Sequence, residues 1–480
     1  MSSDYLSVTD KYLLSENKII SYSIPFVLSL LIFFVSRDNF FFWDTISQVS
    51  IPANWYFDTD FKHLFVPDDL ATGHPTAAGA YLAIIWKLFG RSLIVSHVAM
   101  FPFVFGTFFQ INRLISKSGI KGLSFWLIFV ITIIDPTLIA QMSLISIDVI
   151  HIFFFLWCFN SHIEKRNVQV SLAFLGLCMV SLRGMISGAG VAIFILLDDY
   201  LIMKKVSIKR LFPIIPGLIL TALFFILFYT QKHWIIHNVV SDKWSQSSQF
   251  ASFKEMIFNI GIIGWRLVDF GRIGLWLVFT SIIFSLLKHL SIKAHFLKTI
   301  IHMILAQLIC IVPVCVVYKN PIGHRYFLSI IVLVSITSIY WILKYHKLRA
   351  ITLPIVVAIL ISGWFWIYPK KISTGWDATP AHWPYYEIRS EMLTYLHKEK
   401  INISDVGSFY PNLASIKYID LSDKDIRFKE ADIKNDKYIL YSNVYNLENR
   451  IINELFNKGV YKQMKRISKG NIDIILFMKD

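Results

Sequence analysis

Between Ile19 and Tyr368 the chain is a succession of apolar runs broken by short polar stretches. Each run is roughly 17 to 25 residues long, the length that crosses a bilayer as a helix. The pattern predicts eleven spans, near 19–36, 92–112, 122–138, 148–163, 168–183, 185–203, 211–230, 272–288, 299–317, 326–343 and 350–368. A further apolar stretch, 76–89, is short for a crossing and follows the breaker Gly73-His74-Pro75, which predicts a half-inserted helix. After Pro369 the pattern changes to polar, with helical spacing over Tyr385 to Lys398 and Leu447 to Phe456. Short strands are predicted at Asp405 to Phe409, Tyr438 to Tyr441 and Ile472 to Phe477. The fold class is an all-α polytopic membrane bundle over residues 1–369, with outer loop 37–75, joined to a small extracytoplasmic α/β domain over 370–480.

Composition narrows the choice. Hydrophobic residues make up 55% of the 480 and charged residues only 16%, more apolar surface than a soluble globular core hides. A net charge of +15 would suggest nucleic acid in a soluble protein, but placement decides otherwise. With the N-terminus inside, the short inner loops hold fifteen basic residues, among them Arg113, Lys117, Lys205 and Lys293, against the single acid Glu164. The opposite loops hold eight basic residues and eleven acids, the asymmetry of the positive-inside rule. Topology therefore accounts for the charge, and a nucleic-acid partner is excluded. The first run is too long for a signal-peptide core and is read as an uncleaved anchor. Cys158, Cys178, Cys310 and Cys315 all lie in apolar runs without metal-ligand spacing. Trp234, Trp244 and Trp265 read as an aromatic belt.

An ionisable residue near the membrane plane costs about 2.5 to 3.5 kcal/mol at mid-span unless it is paired or wet, so each such residue is a functional candidate. Asp44 follows Phe40-Phe41-Phe42-Trp43, an acid held against the membrane by aromatics. His74 precedes a helix start, where anions are favoured. Asp148 opens a span, and an N-cap role accounts for it as well. Arg183 interrupts an apolar stretch at an Arg-Gly turn, and His324 with Arg325 precedes the tenth span. Arginine presents planar donors suited to phosphate oxygens, although interface snorkelling is the plainer use of both. No zinc motif, nucleophile elbow, P-loop or dinucleotide fingerprint appears. Carboxylates on early outer loops and cations on late ones suit a substrate with a lipid tail, an anionic phosphate and a neutral reacting head.

In this arrangement the chain resembles the GT-C superfamily of polytopic glycosyltransferases, especially the protein O-mannosyltransferase and lipid A aminoarabinose transferase branch. The motifs carrying the likeness are Trp43-Asp44-Thr45, His74-Pro75-Thr76, Leu88-Phe89-Gly90-Arg91-Ser92, Asp135-Pro136 with Asp148, and His324-Arg325-Tyr326-Phe327-Leu328. The chain departs from that pattern where Thr45 replaces the second acid and Thr76 the second proline.

The resemblance implies an inverting transfer of a sugar from a polyprenyl-phosphate-linked donor to a lipid, glycan or protein acceptor on the outer face of a bacterial plasma membrane. It implies Asp44 as the base, Asp148 as an acceptor-positioning carboxylate, and Arg183, His324 and Arg325, assisted by His74, as the phosphate site. No cofactor is expected; a divalent ion shared by Asp44 and Asp148 enters only in the oligosaccharyltransferase-like variant. Two other classes stay open at this point: a lipid or solute transporter, which commonly shows internal repeats and broken mid-span segments, and a non-catalytic subunit of an envelope-assembly complex.

Overall fold

The computed structural model describes residues 18–204, 206–235, 249–288, 295–319, 321–370, 372–457 and 459–479; Lys205, Trp244 and Lys293 lie outside them. The N-terminal helix α1 (Lys18–Ser36) leads into an outer segment where a π-helical turn, Ile46–Ser50, runs on into α2 (Ile51–Asp58). The short helix α3 (Ala77–Phe89) ends at Gly90 and is followed by α4 (Leu93–Ser116), whose first turn is capped by the Ser92 hydroxyl. Next come α5 (Gly122–Ile133), α6 (Pro136–Met142), α7 (Ile147–Ile163), α8 (Asn167–Val180), α9 (Leu182–Asp198) and α10 (Ile215–Lys232). The bundle closes with α11 (Phe253–Val268), α12 (Ile273–Lys288), α13 (His295–Val317), α14 (Leu328–Tyr345) and α15 (Arg349–Ser362).

Among the described residues six helices are long and apolar enough to cross a membrane, and two bent pairs bring the number to eight. Three more expected spans, at Ile147–Ile163, Asn167–Val180 and Arg349–Phe365, are apolar but shorter, as is Ala77–Phe89. The bends have local causes. Between α5 and α6 the chain turns by 70° because Pro136 cannot continue a helix, while the Asp135 carboxylate accepts from Thr137 and Leu138 N–H at 2.9 and 3.1 Å and starts a new one. Between α11 and α12 the turn is 101°, through Phe270 and Gly271 at φ of 51° and 79°. A side chain at Gly271 would also strike the Ile359 carbonyl, so only glycine fits there.

Helix α11 falls in what the sequence pattern reads as an outer loop, 231–271. A capping box of Ser252 and Glu255 opens it, and Lys254, Glu255, Asn259 and Arg266 interrupt its apolar residues, so it lacks the continuous run that marks a span. Trp234, read as part of an aromatic belt, is instead buried and donates to Asp68 at 3.1 Å. The most enclosed of these spans is the one carrying Arg325, His324–Tyr345, in which 89% of the most apolar 18-residue stretch is buried inside the protein. At one end of the bundle Arg113, Lys117 and Arg166 converge on Glu164, the single acid of the predicted inner loops. Asp148 begins the helix that ends beside Glu164, so the two mark opposite faces about 24 Å apart.

Beyond the bundle, α16 (Pro384–Lys398), α17 (Ile416–Ile419) and α18 (Asn449–Leu455) accompany a five-stranded sheet. Its strands are β1 (Val406–Ser408), β2 (Lys429–Glu430), β3 (Tyr438–Ser442), β4 (Tyr461–Lys469) and β5 (Ile472–Lys479), in the order β2-β1-β3-β5-β4. β1 pairs parallel with β2 and β3, while β5 runs antiparallel between β3 and β4. The three predicted strands are present. β4 escapes the pattern because it is a lysine-rich edge strand, where charge blunts further pairing instead of marking a core.

Packing against this sheet domain corrects the reading of Phe40-Phe41-Phe42. These rings do not lie against the membrane; they are buried under α16 and its entry turn. Phe42 stacks on the His382 ring at 5.0 Å, Phe40 meets Tyr386 at 4.8 Å, and the Arg389 guanidinium lies 4.5 Å from the Phe40 ring. Phe41 N–H donates to Ile419 at 3.0 Å and the Ser50 hydroxyl to Tyr418 at 2.6 Å. One hydrophobic core therefore runs from the bundle into the sheet domain. Phe42→Ala is expected to cost about 3–5 kcal/mol, read as a lowered thermal midpoint and faster proteolysis after residue 370; an unchanged midpoint would show that the contact does not hold the domain.

Candidate active site

Five charged side chains from separate parts of the chain meet on the face away from Glu164. Asp44 comes from the outer segment, Asp148 from the first turn of α7, Arg183 from the first turn of α9, and Arg325 from just before α14. The fifth, Asp377, lies in a short 3-10 turn, Trp376–Ala378, between the last span and the sheet domain. Helix starts place three of them: capping serines fix the entries of α7 and α9, and Ser146 caps α7 by accepting from Asp148 N–H at 3.1 Å. The cap is Ser146, so the Asp148 carboxylate is left to reach the arginines. At Gly184 a side chain would strike the Leu177 carbonyl, and its absence lets the first turn of α9 lie close to α8 with Arg183 on it.

Arg325 is the hub. Its Nη2 pairs with Asp44 and its Nη1 with Asp377, while its Nε lies 3.2 Å from Asp148 Oδ2. Arg183 Nη1 lies 2.6 Å from the other Asp148 oxygen, and its guanidinium sits 4.3 Å over the Tyr326 ring. Three carboxylates thus face two guanidiniums, leaving one negative charge in excess. Asp44 is the accessible member, with a quarter of its side chain exposed, while Asp148 is 4% exposed. Asp44 follows Trp43, held at φ 51°, an uncommon backbone conformation for a bulky residue. The sheet domain contributes Tyr410, whose hydroxyl donates to Asp44 Oδ1 at 3.3 Å. Burial, and next the Asp44 charge, push the Tyr410 phenol well above its ordinary range, so it stays a donor.

His74 lies beside this cluster. Its Nδ1 accepts from Leu182 N–H, the opening amide of α9, at 3.4 Å. Burial, reinforced by Arg183, lowers its pKa to about 4. The ring is therefore neutral at pH 7 and offers a phosphate an Nε2–H donor without a charge.

His324, grouped with Arg325 by sequence, turns the other way. Its Nε2 is 2.6 Å from Asp269 Oδ2, its ring is tilted against Phe270 at 4.5 Å, and Arg266 and Tyr368 complete an enclosed network. Next to it Arg272 and Asp135, each 1% exposed, form a buried pair at 2.7 Å that Thr137 shares. These groups lie behind the cluster and fix the turn carrying Asp377: Thr137 Oγ1 donates to the Ala378 carbonyl at 3.0 Å, and Gln141 to the Asp377 carbonyl at 2.7 Å. The sequence reading passed over Asp377 and Tyr410. Its one available signal for Asp377 was a second Trp-Asp pair, Trp376-Asp377, repeating Trp43-Asp44; nothing marks Tyr410.

The carboxylates of the cluster are directed at guanidiniums, and no group of three His, Cys, Asp or Glu side chains among the described residues is poised around a metal ion.

No protein-family model matches the sequence, and neither does any curated protein. The structure superposes on the crystal structure of ArnT from Cupriavidus metallidurans bound to undecaprenyl phosphate, with a TM-score of 0.53, over 95% of this chain and 98% of that one, at 10% sequence identity. The chain has the ArnT fold. The architecture expected from the sequence, a helical bundle joined to a small sheet domain, is thus the observed one. In this ArnT-like framework Asp44, Asp148, His74, Arg183 and Arg325 converge, and His324 stands apart.

Two outcomes follow from the geometry. Arg325→Ala leaves Asp44 and Asp377 without an ion-pair partner and is expected to destabilise the protein by about 3–5 kcal/mol, measured as a drop in thermal midpoint. The His74 pKa of about 4 lies below its ordinary 6.5, so the unfolded chain binds the extra proton first as pH falls. Stability from the neutral ring is complete above pH 6.5 and is lost toward pH 4. His74→Gln should therefore show a smaller fall in thermal midpoint between pH 7.5 and 4.5 than the wild type; an equal fall would place the ring in water.

Proposed function

We propose that the chain is an inverting glycosyltransferase that moves a sugar from a polyprenyl-phosphate carrier to an acceptor hydroxyl at the outer face of a bacterial plasma membrane, with its N-terminus cytoplasmic. The observation that carries this reading is the meeting of a partly exposed carboxylate, Asp44, with two guanidiniums at one face of an ArnT-like bundle. That the ArnT crystal structure holds undecaprenyl phosphate supports a carrier of that class. The basic inner loops support the orientation.

In this reaction the acceptor oxygen attacks the anomeric carbon, its proton passes to Asp44, and the bond from that carbon to the phosphate oxygen breaks with its electron pair leaving on the phosphate. An ionised carboxylate has about four lone-pair sites; Arg325 and Tyr410 occupy two, so Asp44 can still receive the acceptor hydroxyl. Arg183 and Arg325 hold the phosphate and offset the charge that develops there, a role in which fixed cations supply several kcal/mol. Asp148 orients both guanidiniums, and His74 donates as a neutral ring. His324 acts behind Arg325, with no contact to substrate.

The test uses purified protein, an undecaprenyl-phosphate-linked sugar, and release of undecaprenyl phosphate as the readout. Asp44→Asn is expected to lower turnover by about 10² to 10⁴-fold while donor binding persists, and Arg183→Ala to weaken donor binding. Undiminished turnover in Asp44→Asn would remove the base from the mechanism. Wild-type binding no tighter than to ordinary anionic lipids would return the protein to the transporter or assembly-subunit class.

A further inference from the structure

Each of the three guanidinium nitrogens of Arg325 has a carboxylate oxygen within ion-pair distance. A phosphate approaching any of these nitrogens meets a carboxylate already there. The three are not held equally. Asp148 is tied to Arg183 and lies beside the Ser146 hydroxyl. Asp44 accepts from Tyr410 and follows the buried Phe40–Phe42 segment and the half-buried Trp43. The Asp377 carboxylate has Arg325 as its single polar partner among the described residues, is 18% exposed, and lies on a three-residue turn outside the bundle helices.

Resting on the transferase reading above, we infer that Asp377 occupies the phosphate seat of the empty enzyme, and that the donor phosphate enters by taking its place on Nη1 of Arg325. The exchange keeps the charge of the cluster, because a glycosyl phosphodiester carries one negative charge and so does the carboxylate it replaces. It also accounts for the excess negative charge of the resting cluster, which is otherwise a poor setting for an anion. The turn is anchored through backbone carbonyls, Asp377 to Gln141 and Ala378 to Thr137, so the side chain can swing away while the backbone stays. Asp377 then has two consequences: it keeps Arg325 aligned and shielded when no donor is present, and it sets a threshold against weakly binding anionic lipids, since any headgroup must outcompete an ion pair already formed.

The experiment titrates undecaprenyl phosphate into purified full-length wild type, Asp377→Asn and Asp377→Glu, followed by native mass spectrometry, with phosphatidylglycerol as the competing anionic lipid and thermal midpoints confirming folding. Asp377→Asn is expected to bind undecaprenyl phosphate roughly tenfold tighter and to discriminate less against phosphatidylglycerol, while Asp377→Glu stays near the wild type. Unchanged or weaker binding by a folded Asp377→Asn, with wild-type binding intact, overturns the competition and leaves the transferase reading standing. No preference for undecaprenyl phosphate by wild type or Asp377→Asn sinks that reading and this inference together.

Discussion

A single guanidinium, enclosed at the head of the most buried span, organises one face of this protein. Arg325 draws Asp44, Asp148 and Asp377 from segments separated by more than a hundred residues each. Such a charge is costly to enclose unless it is paired, so the segment carrying Asp44, the entry of α7 and the linker to the sheet domain are bound to a common position. The cluster is therefore a joint of the fold and, on the proposed function, the site of its chemistry.

That dual use accounts for the arrangement behind it. His324 and Asp269, with Arg272 and Asp135, form a second enclosed set of charges one layer deeper, and their hydrogen-bond partners include the turn that carries Asp377. Buried polar groups held by several hydrogen bonds rigidify their surroundings. The sharp bend at Gly271 and the Pro136 break exist to bring these residues to that level. The sheet domain is part of the same construction: Tyr410 reaches Asp44, and the Phe40–Phe42 rings that carry Asp44 are packed under α16.

Much of this was legible in the sequence. Runs of apolar length predict the six straight spanning helices and parts of both bent pairs, because a bilayer leaves little freedom in helix length or side-chain polarity. Isolated charges beside those runs name Asp44, Asp148, Arg183 and Arg325, since the cost of an unpaired charge at that depth singles them out. Helix α11 and strand β4 were not legible: one is amphipathic and the other a charged edge, and neither has the continuous apolar pattern on which the reading depends.

What the sequence by itself determined is the class of protein, its spans and the residues too costly to be incidental. Only the tertiary structure decided their partners. Nothing in the chain order separates His324 from its neighbour Arg325, yet in the 3-10 turn at the head of α14 they point to opposite sides, one to Asp269 and the other to Asp44. Nor does composition distinguish Asp377 from the other acids of a polar tail; its role comes from a linker that folds back across the bundle. The physical reason is the same in both cases. Hydrophobic periodicity is a local property of the chain, whereas the pairing of buried charges depends on which segments the packing brings within hydrogen-bonding distance.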